Sequence, residues 1–232
     1  MSRPRIGAVT IGQAPRPDLL EPVRERTGGT AEIIEAGALD GLGRDELATR
    51  GPARGDVGRG AYPLTTRLRD GSSVTLDEAS LAPLVQRAIE RGEAAGAEAT
   101  LLLCAGGFLE VTARGQLVRP FEAAVARLGA MDARRLVIVV PYPGQAEAAR
   151  RKWTDAGFEV NVRVADPPTV DADGDVASAD AIVLDYVGHP SSVVEALRAR
   201  AGLPVVDLGE AGADAVLEAL AEQRERATAT AR

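Results

Sequence analysis

The residue best suited to chemistry in this 232-residue sequence is its single cysteine, Cys104. It follows the apolar run Ala99–Leu103 and precedes Gly106 and Gly107. A short, continuously apolar run predicts a strand buried in a parallel sheet, and such sheets bind ligands beyond the carboxyl ends of their strands. Glycines at that point let backbone N–H groups approach a small anion. The position favours thiol chemistry, and simple packing of a buried cysteine is the alternative.

A second strand end with similar features lies near the N-terminus. The strand predicted over Arg5–Ile11 is followed by Gly12 and Gln13, and Pro17 favours a helix start soon afterwards. A helix N-terminus attracts anions, and Arg16 would add a bidentate donor for a carboxylate. The alternative is an ordinary turn with a solvated arginine.

The clearest local pattern is a β-hairpin whose arms span residues 62–68 and 73–76. The turn between them contains Asp70 and Gly71, a pair typical of tight hairpin turns. Thr66 and Arg67 on the first arm offer hydroxyl and guanidinium donors. These side chains either line a pocket or face water.

Two segments of the chain resemble each other, residues 97–106 and residues 179–188. Each begins with alanine and an acidic residue, continues as an apolar run, and ends in a polar side chain followed by x-Gly. Their alignment sets Cys104 opposite Tyr186, with Gly188 at the end of the second segment. If the halves are copies packed face to face, these two residues flank one cleft. The alternative is that any two parallel strands share such features.

The only histidine, His189, follows directly after the second segment. Imidazole titrates near neutral pH, and a helix N-terminus would lower its pKa and leave it a neutral base. A solvated residue close to a helix cap is the alternative for His189.

Strands alternate with helices throughout the rest of the chain, which predicts a mostly parallel α/β fold with right-handed crossovers. Residues 50–60 are expected to form a flexible loop, and the charged tail beyond residue 221 is expected to fray. The further strands are predicted at 31–36, 135–140, 158–164, 179–184 and 204–208, and the helices at 78–95, 121–128, 145–155, from 192 to 201 and at 211–221.

Composition excludes several classes of protein. The net charge of −7 argues against binding to nucleic acid. No apolar run reaches the roughly 20 residues that cross a bilayer, and no signal peptide is recognisable, so we expect a cytoplasmic protein without a membrane partner. One cysteine and one histidine argue against a disulfide framework and against a zinc site.

Five segments match one known family: residues 10–18 (TIGQAPRPD), 37–42 (GALDGL), 64–71 (LTTRLRDG), 101–104 (LLLC) and 184–185 (LD). With these segments the chain resembles the AroM family, which is related to the Asp/Glu/hydantoin racemase superfamily. The resemblance implies two similar Rossmann-like α/β lobes, mostly parallel sheets, an active-site cleft between the lobes, and cofactor-free chemistry at the carbon next to a carboxylate. In the superfamily one cysteine from each half flanks the substrate, one removing a proton and the other donating one.

This chain departs from that pattern because Tyr186 stands where the second cysteine is expected. A phenol is a poor base at neutral pH, although it can donate a proton or a hydrogen bond to an enolate. We expect a first lobe over residues 1–115, carrying the hairpin and completed by 205–232, and a second lobe over 116–204.

The leading hypothesis is a cofactor-independent acid–base enzyme, a racemase, isomerase or lyase, acting on a small amino or dicarboxylic acid. Cys104, with a pKa lowered by nearby N–H groups, Tyr186 and His189 are the candidate catalytic residues. The rival hypothesis is a small-anion binding or regulatory protein that has lost the chemistry, and the sequence leaves a homodimer open. The candidate substrate-binding residues are Gly12, Gln13, Arg16, Thr66, Arg67, Gly106, Gly107 and Gly188, with no metal and no cofactor.

Overall fold

The structure is a computed structural model that describes residues 3–48, 63–169 and 176–230. Strands and helices alternate along these ranges, as predicted. The first part contains β1 (Arg5–Thr10), α1 (Pro17–Thr27), β2 (Glu32–Gly37), α2 (Arg44–Ala48), β3 (Pro63–Arg67), β4 (Ser73–Asp77), α3 (Glu78–Ala94), β5 (Ala99–Leu103) and β6 (Gln116–Val118). The second part contains α4 (Pro120–Ala130), β7 (Arg135–Val140), a 3-10 turn (Pro143–Gln145), α5 (Ala146–Asp155), β8 (Glu159–Val164), β9 (Ala181–Leu184), α6 (Ser191–Ala201), β10 (Val205–Asp207) and α7 (Leu208–Thr230).

Two four-stranded sheets form the framework, in the orders β2-β1-β5-β6 and β10-β9-β7-β8. Every strand pair within them is parallel. In the first sheet Thr10 pairs with Leu103, and in the second Val139 pairs with Leu184. These registers bring the loops that follow β1 and β5 to one edge of the first sheet, and the loop after β9 to the corresponding edge of the second. The α/β fold with mostly parallel sheets is confirmed.

Alternation along the strands divides the core into layers. Leu101 and Leu103 of β5 belong to a large core that also holds Ile138 of β7 and residues of α1, α4 and α7. Leu102 and Cys104 belong instead to a core formed with α3 and the hairpin. Successive side chains of a strand point to opposite faces of the sheet, so both faces of β5 are covered by apolar residues. The shared core joins the two sheets and fixes the relative position of their edges.

The hairpin forms as predicted, with β3 antiparallel to β4 and Thr66 paired with Val74. Gly71 in its turn has φ of +82°, a left-handed conformation that favours glycine. Tyr62 and the loop expected over residues 50–60 lie outside the described residues, as do residues 170–175 of the loop before β9.

Strand pairing differs from the expected lobes at two points. β6 lies beyond residue 115 yet pairs with β5 in the first sheet. β10 was expected to complete the first lobe, but it pairs with β9 in the second sheet. The chain leaves the first sheet only after β6, where Pro120 begins α4 with a residue that cannot extend the ladder.

The last helix is longer than predicted, because α7 continues to Thr230 instead of fraying near residue 221. Its start is fixed by Asp207, whose Oδ1 accepts a hydrogen bond from the Glu210 N–H at 2.9 Å. Its last part is rich in Glu, Arg and Ala, which are good helix formers, and Arg226 pairs with Glu222 one turn earlier at 3.3 Å. None of the helices described here combines the length and apolar character needed to cross a membrane.

Candidate active site

A cleft lies between the carboxyl edges of the two sheets and is closed on one side by the hairpin. It encloses about 640 Å³ of empty space, including its open mouth. Its walls come from the loops after β1, β5, β7 and β9 and from β3 and β4. They are formed by Thr10, Ile11, Arg16, Leu19, Leu64, Thr65, Thr66, Arg67, Ser73, Leu103, Cys104, Ala105, Tyr142, Gln145, Asp185, Tyr186 and Val187.

The Cys104 thiol lies on the cleft wall directly after β5, with 6% of the residue exposed. The Gly106 N–H donates a hydrogen bond to Sγ at 3.2 Å. Burial nevertheless raises the pKa of the Cys104 thiol to about 12, and the Gly106 N–H opposes this only in part. The expectation of a lowered pKa is therefore wrong, because the cost of desolvating a thiolate exceeds what one N–H donor returns.

Tyr186 lines the same cleft from the loop after β9. Burial raises the pKa of its phenol above the usual value, and the neighbouring Tyr142 adds to this. The guanidinium groups of Arg16 and Arg67 act in the opposite direction without reversing the shift. At neutral pH the cleft is thus flanked by a protonated thiol on one lobe and a protonated phenol on the other.

The two candidate arginines of the cleft differ in their partners. Arg16 is buried and donates two hydrogen bonds to the Asp18 carboxylate, from Nε at 2.8 Å and from Nη2 at 2.6 Å. This pairing lowers the pKa of Asp18 below its usual range. Arg67 projects from β3 and forms no ion pair with any carboxylate among the described residues. Arg67 is accordingly the guanidinium available to an incoming anion.

The other residues predicted on the first lobe support the walls and do not line the cleft. The Gly12 N–H donates to Thr10 Oγ1 at 3.2 Å, and a Cβ at Gly12 would lie 2.4 Å from Oγ1 of Thr66. Gln13 donates to the Leu39 and Leu42 carbonyls at 3.2 and 3.3 Å and accepts the Arg69 N–H at 2.8 Å. Gly12 therefore lets the hairpin approach the end of β1, and Gln13 holds the hairpin there through its hydrogen bond with Arg69. Gly106 lies behind the Cys104 thiol, and neither Gly106 nor Gly107 lines the cleft.

His189 also lies outside the cleft wall, although it is close to Tyr186. The two rings meet edge to face with their centroids 5.3 Å apart. The imidazole is buried, its Nε2 has no hydrogen-bond partner among the described residues, and burial lowers its pKa. Gly188 before it has φ of +119°, and a Cβ there would lie 2.6 Å from Leu19, where the lobes meet. His189 is thus a neutral residue that packs behind the phenol.

Three polar side chains that sequence reasoning missed belong to this region. Asp185, directly before Tyr186, lies on the cleft wall and is 5% exposed. Gln145, at the end of the 3-10 turn before α5, lines the cleft, and its buried Oε1 has no hydrogen-bond partner among the described residues. Lys152 reaches Asp185 from α5. Position after a strand could have indicated Asp185, whereas nothing in the local sequence indicates Lys152.

The described residues contain no group of three or more histidine, cysteine or acidic side chains suited to hold a metal ion.

Several solved enzyme structures share this architecture. Arylmalonate decarboxylase matches with a TM-score of 0.61 and 16% identity, covering 93% of this chain and 92% of that chain. Maleate isomerase Iso from Pseudomonas putida S16 gives 0.57 and 18%, with 94% and 92% covered. Allantoin racemase from Klebsiella pneumoniae gives 0.60 and 18%, with 95% and 89% covered. At these identities the similarity establishes the fold.

Comparison with curated protein sequences found no significant match. The family model described as AroM protein, in contrast, matches residues 6–220, almost the entire length of the chain. The matched region includes both sheets, the hairpin and every residue of the cleft wall. The chain therefore belongs to the AroM family.

Proposed function

We propose that this protein is a cofactor-independent acid–base enzyme that acts at the carbon next to the carboxylate of a small amino or dicarboxylic acid. Cys104 is the proton donor to that carbon in this proposal. The observation that carries it is that Cys104 and Tyr186 line one cleft from opposite lobes, beside Arg16 and Arg67. The three enzymes of similar fold, a decarboxylase, an isomerase and a racemase, make acid–base chemistry the most economical use of such a cleft.

The protonation states of the flanking groups favour one branch of this chemistry. Racemisation begins with removal of a proton, which requires a base, and addition to a double bond requires a thiolate. Burial raises the pKa of both Cys104 and Tyr186, so both hold their protons at neutral pH. Decarboxylation needs an acid and no base. We therefore favour a decarboxylase over a racemase or an isomerase.

The proposed decarboxylation breaks one carbon–carbon bond and delivers one proton to carbon. The bond between the central carbon and the departing carboxylate breaks, carbon dioxide leaves, and the electron pair stays on the remaining carbon and carboxylate as an enediolate. The Cys104 S–H transfers its proton to carbon, and the thiolate then recovers a proton from water. Arg67, which has no carboxylate partner among the described residues, would pair with the retained carboxylate. The Tyr186 phenol would donate a hydrogen bond to the enediolate oxygen.

The rival function is a small-anion binding protein that has kept the cleft and lost the chemistry. Burial of the thiol and the presence of Tyr186 in place of a second cysteine favour it. A binding protein needs the guanidinium groups of the cleft but not the thiol. Removal of Cys104 should therefore abolish turnover if the protein is an enzyme and leave ligand binding unchanged if it is a binding protein.

Turnover in D₂O tests the proposal. The full chain is incubated in D₂O with a panel of substituted malonic acids, and the products are examined by NMR for loss of carbon dioxide and for one deuterium on the product carbon. We expect deuterated product with the unaltered protein and at least a ~100-fold lower rate with Cys104→Ser, since general acid catalysis contributes about that much. Cys104→Ala separates loss of the acid from substitution by a weaker one.

Either of two results would overturn the proposed role. Undiminished turnover in both Cys104 variants would remove the thiol from the mechanism. Saturable binding of the same acids without turnover, unchanged in the Cys104 variants, would establish the binding protein instead.

A further inference from the structure

The ammonium group of Lys152 connects the loop after β5, which carries Cys104, to the loop after β9, which carries Tyr186. Lys152 Nζ, on α5, donates to the Ala105 carbonyl at 3.0 Å and to Asp185 Oδ1 at 2.6 Å. Ala105 follows Cys104, and Asp185 precedes Tyr186. The Lys152 side chain is 11% exposed and that of Asp185 is 2% exposed. A single buried cation thus bridges the first sheet to the second at the base of the cleft.

The surroundings of this bridge satisfy its remaining groups. The Trp153 indole N–H donates to Asp185 Oδ2 at 2.9 Å, so both carboxylate oxygens have donors. The Lys152 ammonium also lies 4.9 Å from the centre of the Phe121 ring. Trp153 is fully buried and packs edge to face against Phe121 and Phe158. Buried charges are costly unless they are paired and hydrogen-bonded, so this arrangement is a built feature of the cleft and not an incidental surface pair.

We infer that Lys152 is a positioning residue for the cleft. Its ammonium binds both the carbonyl of Ala105 and the carboxylate of Asp185. It thereby holds the Cys104 thiol and the Tyr186 phenol at a fixed separation, and it places a positive charge near the thiol. The inference relies on the proposed function only for the role of the thiol as proton donor. It goes beyond that function because it assigns a task to a residue that does not line the cleft.

If the bridge acts through its charges, replacement of Lys152 and replacement of Asp185 should change the reactivity of the Cys104 thiol in opposite directions. A contact that only holds the lobes together would not produce opposite changes. Among the charged groups that act on Cys104, Glu78 at the start of α3 disfavours the thiolate, Lys152 favours it, and Asp185 disfavours it. The two bridge residues thus act on the thiol in opposite directions. Removal of the cation should make Cys104 less reactive, and removal of the anion should make it more reactive. Loosening of the lobes would expose the thiol in both cases and accelerate its reaction in both.

Alkylation of Cys104 by iodoacetamide measures this without a substrate, and the signal has one source because the chain has one cysteine. The variants are Lys152→Gln, which keeps a donor for the Ala105 carbonyl, and Asp185→Asn, which keeps an acceptor for Trp153. Rates are measured between pH 7 and 10. We expect alkylation about 10-fold slower in Lys152→Gln and about 10-fold faster in Asp185→Asn, since one pKa unit changes the thiolate fraction tenfold.

Controls separate the bridge from general effects of charge and folding. Arg151→Gln removes an exposed cation from the same helix and should leave the rate unchanged. Circular dichroism verifies that each variant is folded, and if Lys152→Gln does not fold, Lys152→Met is measured in its place. Faster alkylation in both bridge variants, or no change in either, would overturn the inference.

The two proposals fail in distinguishable ways. A negative substrate screen would count against the proposed function, while the alkylation rates, which need no turnover, would still decide the role of Lys152. Opposite shifts in alkylation without any turnover would leave the bridge established in a binding protein.

Discussion

Arg16, on the cleft wall, forms a bidentate ion pair with Asp18, with donor–acceptor distances of 2.8 and 2.6 Å. The pair neutralises one of the two guanidinium groups that line the walls. The charge that remains belongs to Arg67, which has no carboxylate partner among the residues described. The walls therefore offer an anion the Arg67 guanidinium, which forms no direct ion pair among the described residues, and removal of Asp18 would make the Arg16 guanidinium available as a second.

Arg67→Gln should weaken the binding of a dicarboxylate probe. Removal of the guanidinium takes away charge-assisted hydrogen bonds, and because Arg67 is exposed we expect a loss of only about 10-fold in affinity, or about 1.4 kcal/mol. Titration calorimetry with malonate measures the change. Arg87→Gln removes an equally exposed arginine from α3, away from the cleft, and should bind malonate as the unaltered protein does. Equal losses in both variants would point to net charge and not to Arg67.

Asp18→Asn should have the opposite effect on the same probe. It releases the Arg16 guanidinium from its carboxylate, so we expect malonate to bind several-fold more tightly. The gain should be smaller in 0.5 M salt, because salt screens the attraction between the cleft and an anion that arrives from solvent. The pairing lowers the pKa of Asp18, so the ion pair persists to a lower pH than an isolated carboxyl would allow. Unchanged affinity would mean that Arg16 does not reach the bound anion.

The pH profile of thiol alkylation should reveal the buried state of Cys104 directly. With a pKa of about 12, the thiolate fraction rises throughout the accessible range. We expect the logarithm of the iodoacetamide rate to increase by about one per pH unit from pH 7 to 10 without a plateau. The same chain in urea provides the control and should level off above pH ~9, as an ordinary thiol does. A plateau near neutral pH in the folded protein would restore the activated thiolate that the sequence suggested.

Gln145 should distinguish ligands that carry a hydrogen-bond donor. Gln145 lines the cleft, and its buried Oε1 has no partner among the described residues. Hydroxymalonate should therefore bind more tightly than malonate, by about 10-fold, and this advantage should disappear in Gln145→Met. Thermal stability should be unchanged or higher in the variant, since it removes an unsatisfied polar group. Equal preference for hydroxymalonate in both proteins would assign its hydroxyl to another residue.

The fold was largely predictable because its elements are encoded locally. Continuous apolar runs such as Leu136–Val140 in β7 coincide with buried parallel strands, and the Asp70-Gly71 turn located the hairpin. The elements that were missed depend on partners distant in sequence. β6 has three residues and owes its pairing to β5, and β10 joins the second sheet through β9. No local pattern indicates which of two sheets a short strand joins.

The candidate site was predictable from two patterns, the hairpin arm that carries Thr66 and Arg67 and the rule that ligands bind beyond the ends of parallel strands. That rule located Cys104 and Tyr186, which line one cleft from different sheets. It did not reveal the ionisation of the thiol, because desolvation depends on the hairpin and α3, which cover it. It also could not reveal Lys152, whose partners lie 47 and 33 residues away in the chain. Burial and long-range pairing are properties of the assembled fold.

Asp207 should make the stability of the protein depend on pH between about 4 and 7. Its carboxyl ends β10, is 1% exposed and caps α7 through Oδ1, while Oδ2 has no partner among the residues described. Burial raises its pKa to about 7, and the negative charge of Glu210 adds to this although Arg198 opposes it. The folded state thus keeps a proton that an unfolded carboxyl releases near pH 4.

The sign of the effect follows from proton binding. Between pH 4 and 7 the folded state binds more protons than the unfolded state, so the Asp207 contribution to stability is complete at low pH and is lost as the pH rises through 7. Asp207→Asn keeps an oxygen for the Glu210 N–H and removes the titration. Relative to the unaltered protein, its free energy of unfolding in urea should increase between pH 5 and pH 7.5 by on the order of 2 kcal/mol. All other titrating groups are common to both proteins and cancel in this difference. A constant difference across that range would mean that Asp207 is already ionised in the folded state, with its charge compensated by Arg198 and the helix N-terminus.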